Sequence, residues 1–147
     1  MAFQRPVTLS EVIKGKPIFV TDGYKGSMCW EIATTGVHSV ITKNEIWLRV
    51  DLGAMKQIKF IDIYDRIMGP PYHQRLAYTD IIVYGQNPSD NRRHCSTVTL
   101  EDTASSVEIF KVCDQVLTGS GVELYQGPRD IEHMIHICEL AVYGPPN

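Results

Sequence analysis

Histidines and carboxylates are the side chains of this sequence best suited to binding metals or transferring protons. His133 and His136 stand three residues apart in a strand-like run, where such positions point to opposite faces, so they do not predict a metal pair. The carboxylates form no recognisable acid–base pair, and there is no Gly-x-Ser-x-Gly, His-Glu-x-x-His or phosphate-binding glycine loop. We therefore predict that the protein is not an enzyme.

Two arginines flank a loop that is rich in glycine and proline. Arg66 follows one strand-like run and Arg75 leads into the next, so both are expected at the same end of the fold. A guanidinium donates hydrogen bonds from a planar fork and can hold two neighbouring oxygens of a ligand. Two interpretations stay open from the residues alone: a binding loop, or a pair of solvated surface arginines.

The elements that position these residues are predicted to be β-strands. Apolar residues at 46, 48, 50 and 52 alternate with polar or aromatic ones, the period of a half-buried strand. Further strand-like runs cover residues 58–64, 80–84, 107–112, 122–125 and 133–143. Turns are predicted at Ala54-Met55, Gly69-Pro70-Pro71, 87–90, 119–121 and Gly127-Pro128. Residues 8–13 predict one short helical turn, and the whole pattern predicts an antiparallel sandwich or jelly roll.

Four cysteines indicate the redox environment of the chain. Cys29, Cys95, Cys113 and Cys138 are widely spaced and form no Cys-x-x-Cys pair, which argues against zinc. An even number in a β-rich chain is consistent with two disulfides, for which three pairings exist. Four buried thiols in a cytosolic protein are the alternative.

Composition limits the class of protein. The chain has 147 residues, 44% of them hydrophobic and 21% charged, with a formal net charge of −3, as expected for one globular domain. Without a basic excess, nucleic acid is not an expected partner, and no apolar run is long enough for a membrane span. The amino terminus lacks a signal-peptide stretch, so we expect either a cytosolic protein or a mature segment carrying a starting methionine.

Several segments resemble the F-type lectin (fucolectin) domain. They are Gly15-Lys16-Pro17, Trp47–Gly53, Ile61–Arg66 and the closing Ile137–Gly144, which occur in the expected order over nearly the whole chain. The resemblance implies an all-β, discoidin-like antiparallel β-sandwich over residues 15–147. It also implies that residues 1–14 are an extension that packs on this domain or leads into it.

The resemblance further implies disulfides, a compartment and a ligand. Cys29 is expected to pair with Cys138, and Cys95 with Cys113, in a secreted protein or an ectodomain. Members of the family hold L-fucose through one histidine and two arginines. By resemblance these are His38, Arg66 and Arg75, with Tyr72 as an apolar surface for the sugar's methyl group. The implied function is non-covalent recognition of fucosylated glycans, by a homo-oligomer or a multidomain parent.

The sequence departs from the family at its calcium site and in its arginine loop. Fucolectins bind calcium through an Asp-Gly-Asn loop and the glutamate after the last cysteine. Glu139 is present, but residues 33–37 have no carboxylate and Asp22-Gly23 lies further upstream, so we expect weak calcium binding or none. Met68 and Pro70-Pro71 replace the family's aspartate and cysteine pair. These departures favour the alternative, a discoidin-like cell-surface module that binds a protein and has lost sugar binding.

Overall fold

The computed structural model describes residues 2–25, 36–65, 72–105 and 108–146, without the side chains of Tyr72, His73 and Ser105. Within these residues the chain forms eight strands: β1 Val7–Leu9, β2 Val12–Gly15, β3 Val37–Ser39, β4 Ile46–Asp65, β5 Asp80–Tyr84, β6 Arg93–Thr97, β7 Glu108–Gln126 and β8 His136–Tyr143. The helical elements are two 3-10 helices, Pro17–Thr21 and Tyr72–Leu76, and one short α-helix, α1, Leu100–Ser105.

The two longest strands, β4 and β7, belong to both layers of the fold. The hydrogen-bonded order is β2-β3-β8-β4-β7-β5-β6, with β1 also paired to β4. The amino-terminal half of β4 pairs with β1 and the carboxy-terminal half of β7, which in turn pairs with β5. The other half of β4 pairs with β8 and the first half of β7. All these pairings are antiparallel, which confirms the predicted all-β, discoidin-like sandwich.

The apolar residues of the two layers meet in one core. Ile46, Leu48, Val50 and Leu52, the alternating positions of the first predicted strand, are all fully buried. They share one cluster with residues of the second layer, which include Ile61, Ile63, Leu140 and Val142. Burying each such side chain contributes about 1.5–3 kcal/mol, so alternation along β4 and β8 is the main source of layer packing.

The predicted turns at Ala54-Met55 and residues 119–121 are wrong, because both segments lie inside strands. The pairing shifts from Asp51↔Gly121 to Lys56↔Gly119, so β4 bulges opposite a short piece of β7. Gly53, at φ +74°, takes the left-handed backbone conformation within the bulge. A bulge bends a strand without ending its ladder, so turn-forming residues here mark a bend between the two layers.

The helical turn predicted for residues 8–13 is also wrong. Val7 pairs with Val50 of β4, and Gly15 pairs with Val37 of β3, so residues 7–15 supply two strands to the sheet. Ser10 connects the two strands and bonds the backbone of Trp47 in both directions, as donor and as acceptor. Sheet pairing outweighs a weak local helix signal.

The structure contains the predicted Cys95–Cys113 disulfide, which joins β6 to β7. Cys138 of β8 is also disulfide-bonded, and its predicted partner, Cys29, lies outside the described residues. No helix in the described ranges is both long enough and apolar enough to cross a membrane.

Candidate functional site

The predicted sugar-binding residues fall partly within the described structure. His38 lies in the middle of β3, and Arg75 lies in the second 3-10 helix. Tyr72 begins that helix, although its side chain is not described, and Arg66 lies outside the described residues. The described geometry therefore concerns His38, Arg75 and their surroundings.

His38 is held against the start of β8. It is the direct cross-strand partner of His136, and the two imidazole rings stack with centroids 6.3 Å apart and planes 24° apart. The neighbouring Ser39 donates its N–H to the carbonyl of Ile135 and accepts the Ile135 N–H at its Oγ, each at 2.9 Å. These bonds fix β3 in register, so the backbone at His38 is firmly positioned.

Arg75 contacts the segment that leads into β8. Its Nη1 lies 2.7 Å from Sδ of Met134, and its carbonyl oxygen accepts a 3.0 Å hydrogen bond from Nε2 of Gln126. The same amide nitrogen lies 2.8 Å from Oγ1 of Thr79 and 3.3 Å from the Met134 carbonyl. Gln126 is fully buried, and it ties the helix of Arg75 to the segment before β8.

A buried contact between a carboxyl group and an imidazole lies next to His38 and next to Arg66 in the chain. Oδ1 of Asp65, the residue before Arg66, lies 2.7 Å from Nδ1 of His136, and both side chains are buried. Among the described residues, Nε2 of His136 has no hydrogen-bond partner. Segment 134–136 is therefore contacted by Arg75 through Met134, and by His38 and Asp65 through His136.

His133 and His136, which the sequence does not predict to be a metal pair, contact different neighbours in the structure. Nδ1 of His133 lies 3.3 Å from the carbonyl oxygen of Ile131, whereas Nδ1 of His136 lies 2.7 Å from Oδ1 of Asp65. Burial lowers the pKa of His133, which favours its neutral form. Within ranges 2–25, 36–65, 72–105 and 108–146, no group of three or more potential metal-ligating side chains occurs.

A cavity of about 280 Å³ opens beside Arg75. Its lining combines cationic, polar and apolar residues: Gln74, Arg75, Ala77, Tyr78, Leu100, Arg129, Ile131, Glu132 and His133. Arg129 donates to the carbonyls of Ala77 (3.0 Å) and Tyr78 (2.8 Å), and this fixes the wall on which Tyr78 is exposed. Guanidinium donors beside exposed apolar side chains suit a ligand with hydroxyls and an apolar edge.

Sequence reasoning missed Arg129 and Tyr78 as neighbours of Arg75. Arg129 follows the predicted turn Gly127-Pro128, so its place on a loop could have been found. Its contact with residues about 50 positions earlier could not be found, because no local pattern encodes it. His38 does not line this cavity, so among the described predicted residues only Arg75 does.

The calcium prediction concerns Glu139, which is buried on β8. Its Oε2 accepts a 3.1 Å hydrogen bond from the N–H of Gly23. The fold therefore brings Asp22-Gly23 next to Glu139, although this dipeptide lies upstream of the position expected for the calcium loop. Burial raises the pKa of Glu139 to about 7. Oδ1 of Asp22 already accepts the N–H of Tyr24 at 2.8 Å.

These residues do not by themselves fit a calcium ion. Calcium takes six to eight oxygen ligands, and Asp22 and Glu139 supply only two carboxylates. Of the loop at residues 33–37, residues 33–35 lie outside the described structure. Weak calcium binding, or none, therefore stays a prediction.

Comparison with protein families finds no matching family profile, and no curated protein matches the sequence. Solved structures do match. The lectin domain of lectinolysin in complex with Lewis B antigen has a TM-score of 0.78 and 17% identity, covering 99% of this chain and 96% of that one. A Streptococcus pneumoniae fucose-binding module has a TM-score of 0.75 and 20% identity, covering 98% and 94%.

An F-lectin (fucolectin) from the serum of striped bass, Morone saxatilis, has a TM-score of 0.75 and 20% identity. The match covers 97% of this chain and 47% of the fish protein. These likenesses show that the chain has the discoidin-like fold of fucose-binding lectin domains.

Proposed function

We propose that this domain binds fucosylated glycans non-covalently at the end of the sandwich that carries Arg75. The observation that carries the proposal is the likeness in fold to three domains whose names record fucose or Lewis antigen binding, over at least 97% of this chain. The convergence of His38 and Arg75 on segment 134–136 supports it, because the predicted donors then belong to one region.

In this proposal His38, Arg66 and Arg75 donate hydrogen bonds to the sugar, and Tyr72 receives its methyl group. Charged donors form stronger hydrogen bonds than neutral ones, which offsets the cost of removing hydroxyls from water. Met134 and Gln126 act through Arg75 as positioning residues, because they hold its side chain and its backbone. The ligand is neutral, so binding should change little with ionic strength.

The proposed setting is outside the cell, in a secreted protein or the ectodomain of a cell-surface protein. The disulfide between β6 and β7 supports this, since disulfides persist in oxidising compartments. A single site of this kind binds weakly, so we propose that the natural form gains avidity from a homo-oligomer or a multidomain parent. The domain carries out recognition and no chemical step.

The test of the site is a titration of L-fucose into the oxidised protein and its variants. Arg75→Ala should lose binding by about tenfold or more, the expected loss for a charged hydrogen-bond donor. His38→Ala should behave in the same way. Arg93→Ala, at an exposed arginine on the edge strand β6, is the matched control and should bind like the wild type. Unchanged binding by both Arg75→Ala and His38→Ala would refute the site.

The second candidate function is recognition of a protein partner by the same end of the domain. Ile131 and Tyr78, two of the cavity-lining residues, are 69% and 60% exposed, and exposed apolar surface is common where proteins dock. This function predicts a folded, fully oxidised protein that binds no sugar.

A further inference from the structure

A second cavity lies on the outer face of the layer that contains β1 and β5. Leu48 and Val50 of β4 are buried in the core, so Arg49 between them projects from the opposite face. The cavity has a volume of about 240 Å³, and its lining includes Pro6, Thr8, Arg49, Asp51, Gln86 and Pro88. No described residue lines both this cavity and the one beside Arg75.

The guanidinium of Arg49 is held in place by two groups. Its Nε donates a 2.5 Å hydrogen bond to Oε2 of Glu123, its cross-strand neighbour on β7. Its Cζ lies 3.8 Å from the centroid of the Trp47 ring. Glu123 is fully buried and also accepts hydrogen bonds from Arg92. A guanidinium fixed at Nε and against an aromatic ring is preorganised, so little side-chain entropy is lost when a ligand binds.

The two Nη nitrogens of Arg49 supply unused donors at the cavity. They make no hydrogen bond or ion pair with any residue that the structure describes. The side chain is 24% exposed and lines the cavity, so solvent reaches it. A guanidinium presents its N–H donors as a planar fork, which can hold two neighbouring oxygens of a ligand.

Asp51 supplies an acceptor in the same cavity. Its Oδ1 accepts a 2.7 Å hydrogen bond from the N–H of Gly53. Its Oδ2 makes no hydrogen bond or ion pair within the described part of the chain, and the residue is exposed. Asp51 and Arg49 lie on the same face of β4, two residues apart, yet they form no ion pair with each other. A ligand can therefore meet a charged donor and a charged acceptor side by side.

The remaining lining is neutral. Thr8 and Gln86 are exposed, and each of their side chains can both donate and accept hydrogen bonds. Pro6 and Pro88 add apolar surface. Arg92 donates a 2.8 Å hydrogen bond to the carbonyl of Pro88, which fixes this wall of the cavity. Donors, acceptors and apolar surface therefore occur together around one small volume.

We propose that this cavity binds a neutral pyranose sugar through two neighbouring hydroxyls, with Arg49 as the donor to their oxygens and Asp51 as the acceptor of a hydroxyl proton. An anionic ligand would face the carboxylate of Asp51 and a cationic ligand the guanidinium of Arg49, so a neutral ligand avoids both repulsions. The C–H groups of the sugar ring pack against Pro6 and Pro88.

The inference goes beyond the proposed function, because it concerns a second site with its own residues. Two sugar sites on one domain would also allow a single chain to bind a branched or clustered glycan with avidity.

The test is an NMR titration of isotopically labelled protein with D-glucose, D-mannose and glycine. The two hexoses differ in the orientation of one hydroxyl, so together they offer both cis and trans neighbouring pairs. At least one hexose should give saturable shifts of the amide signals around Arg49 and Asp51, with little change in high salt because the ligand is neutral. Glycine, a zwitterion without hydroxyls, should bind roughly tenfold more weakly or not at all.

Variants locate the binding to the cavity. Asp51→Asn should weaken hexose binding by roughly tenfold, because a charged acceptor becomes a neutral amide whose oxygen can still replace Oδ1. Arg49→Lys keeps a positive charge beside Glu123 but removes the fork, and should weaken binding by a similar factor. Asp114→Asn and Arg93→Lys, at exposed residues of β7 and β6 outside the cavity lining, are the matched controls and should bind like the wild type. The spectrum of each variant checks that it is folded.

Three results would overturn the inference: no shifts with either hexose, tighter binding of glycine than of both hexoses, or hexose binding unchanged in both Asp51→Asn and Arg49→Lys. L-fucose, titrated separately, reports on the Arg75 site. Arg75→Ala should lose the fucose shifts there and keep the hexose shifts around Arg49. Failure of the proposed function therefore appears as absent fucose shifts around Arg75, and failure of this inference as absent hexose shifts around Arg49.

Discussion

Glu139 is a buried carboxyl whose ionisation opposes folding. It is 3% exposed, and burial raises its pKa to about 7 from an ordinary 4.5, despite the hydrogen bond from the N–H of Gly23. The folded protein therefore holds a proton at Glu139 that the unfolded chain releases at a lower pH. Between these two pKa values the unfolded state binds fewer protons, so the free energy of unfolding falls as pH rises.

Replacing Glu139 should remove this pH dependence. The cost of ionising Glu139 grows between about pH 4.5 and pH 7, the two pKa values, and reaches roughly 2–4 kcal/mol above that range. Glu139→Gln should therefore gain stability relative to the wild type as pH rises through this window. The measurement is urea unfolding of both proteins at the two ends of the window, with chelator present because a bound cation would favour the ionised form. An equal stability difference at both ends would contradict this account.

Single candidate residues can be proposed from the sequence, but their surroundings cannot. Arg75 is a candidate because it flanks a Gly/Pro loop, and His38 is a candidate through a family resemblance. The supports of these residues were missed. Gln126 reaches the backbone of Arg75 from 51 positions away, and Asp65 meets His136 across the end of the sheet. Such contacts depend on register and bends, which no local pattern contains.

At the scale of elements, β4 and β7 each contain segments that the sequence predicts correctly as strands and one segment that it predicts wrongly as a turn. Alternation predicted the strand-like halves of both, including the buried positions Leu48 and Val50. The joins between the halves were predicted as turns, because glycine and polar residues at a bulge look like those of a hairpin loop. Only long-range pairing, such as Asp51 with Gly121, shows that each strand continues from one layer to the other.

Glycines allow β7 to pass close to β5 at the bend. A Cβ on Gly121 would overlap the ring of Tyr84, and a Cβ on Gly119 would overlap the backbone carbonyl of Tyr84 and the side chain of Val83. Gly121→Ala should therefore destabilise the domain by about 2–3 kcal/mol through overpacking. Gly119→Ala should cost at least as much, because a backbone carbonyl moves less readily than a ring.

A double-mutant cycle separates the two glycines. In a Tyr84→Leu background the aromatic ring is absent, so Gly121→Ala should cost much less, while the cost of Gly119→Ala should persist. Urea unfolding of the six proteins in the two cycles gives the coupling energies. Zero coupling between Gly121 and Tyr84 would show that close packing against the ring is not the reason for glycine at this position.

At the scale of the molecule, the Cys95–Cys113 disulfide ties β6 to the half of β7 that pairs with the second layer. The bond closes a loop with a sequence separation of 18. A closed loop of this size stabilises a fold by about 3 kcal/mol in the chain-entropy picture. Replacing both cysteines with alanine should lower the free energy of unfolding by that amount, measured by urea denaturation under oxidising conditions. An unchanged midpoint of unfolding would contradict a stabilising role for this disulfide.

The central claim is that a fold shared with fucose-binding lectin domains here serves to bind fucose. The most direct test is calorimetric titration of the oxidised wild-type protein with L-fucose and with D-galactose, in low and high salt. The account predicts saturable binding of fucose, little change with salt, and no comparable binding of galactose. A folded protein with both disulfides formed that binds neither sugar would contradict the claim and favour recognition of a protein partner.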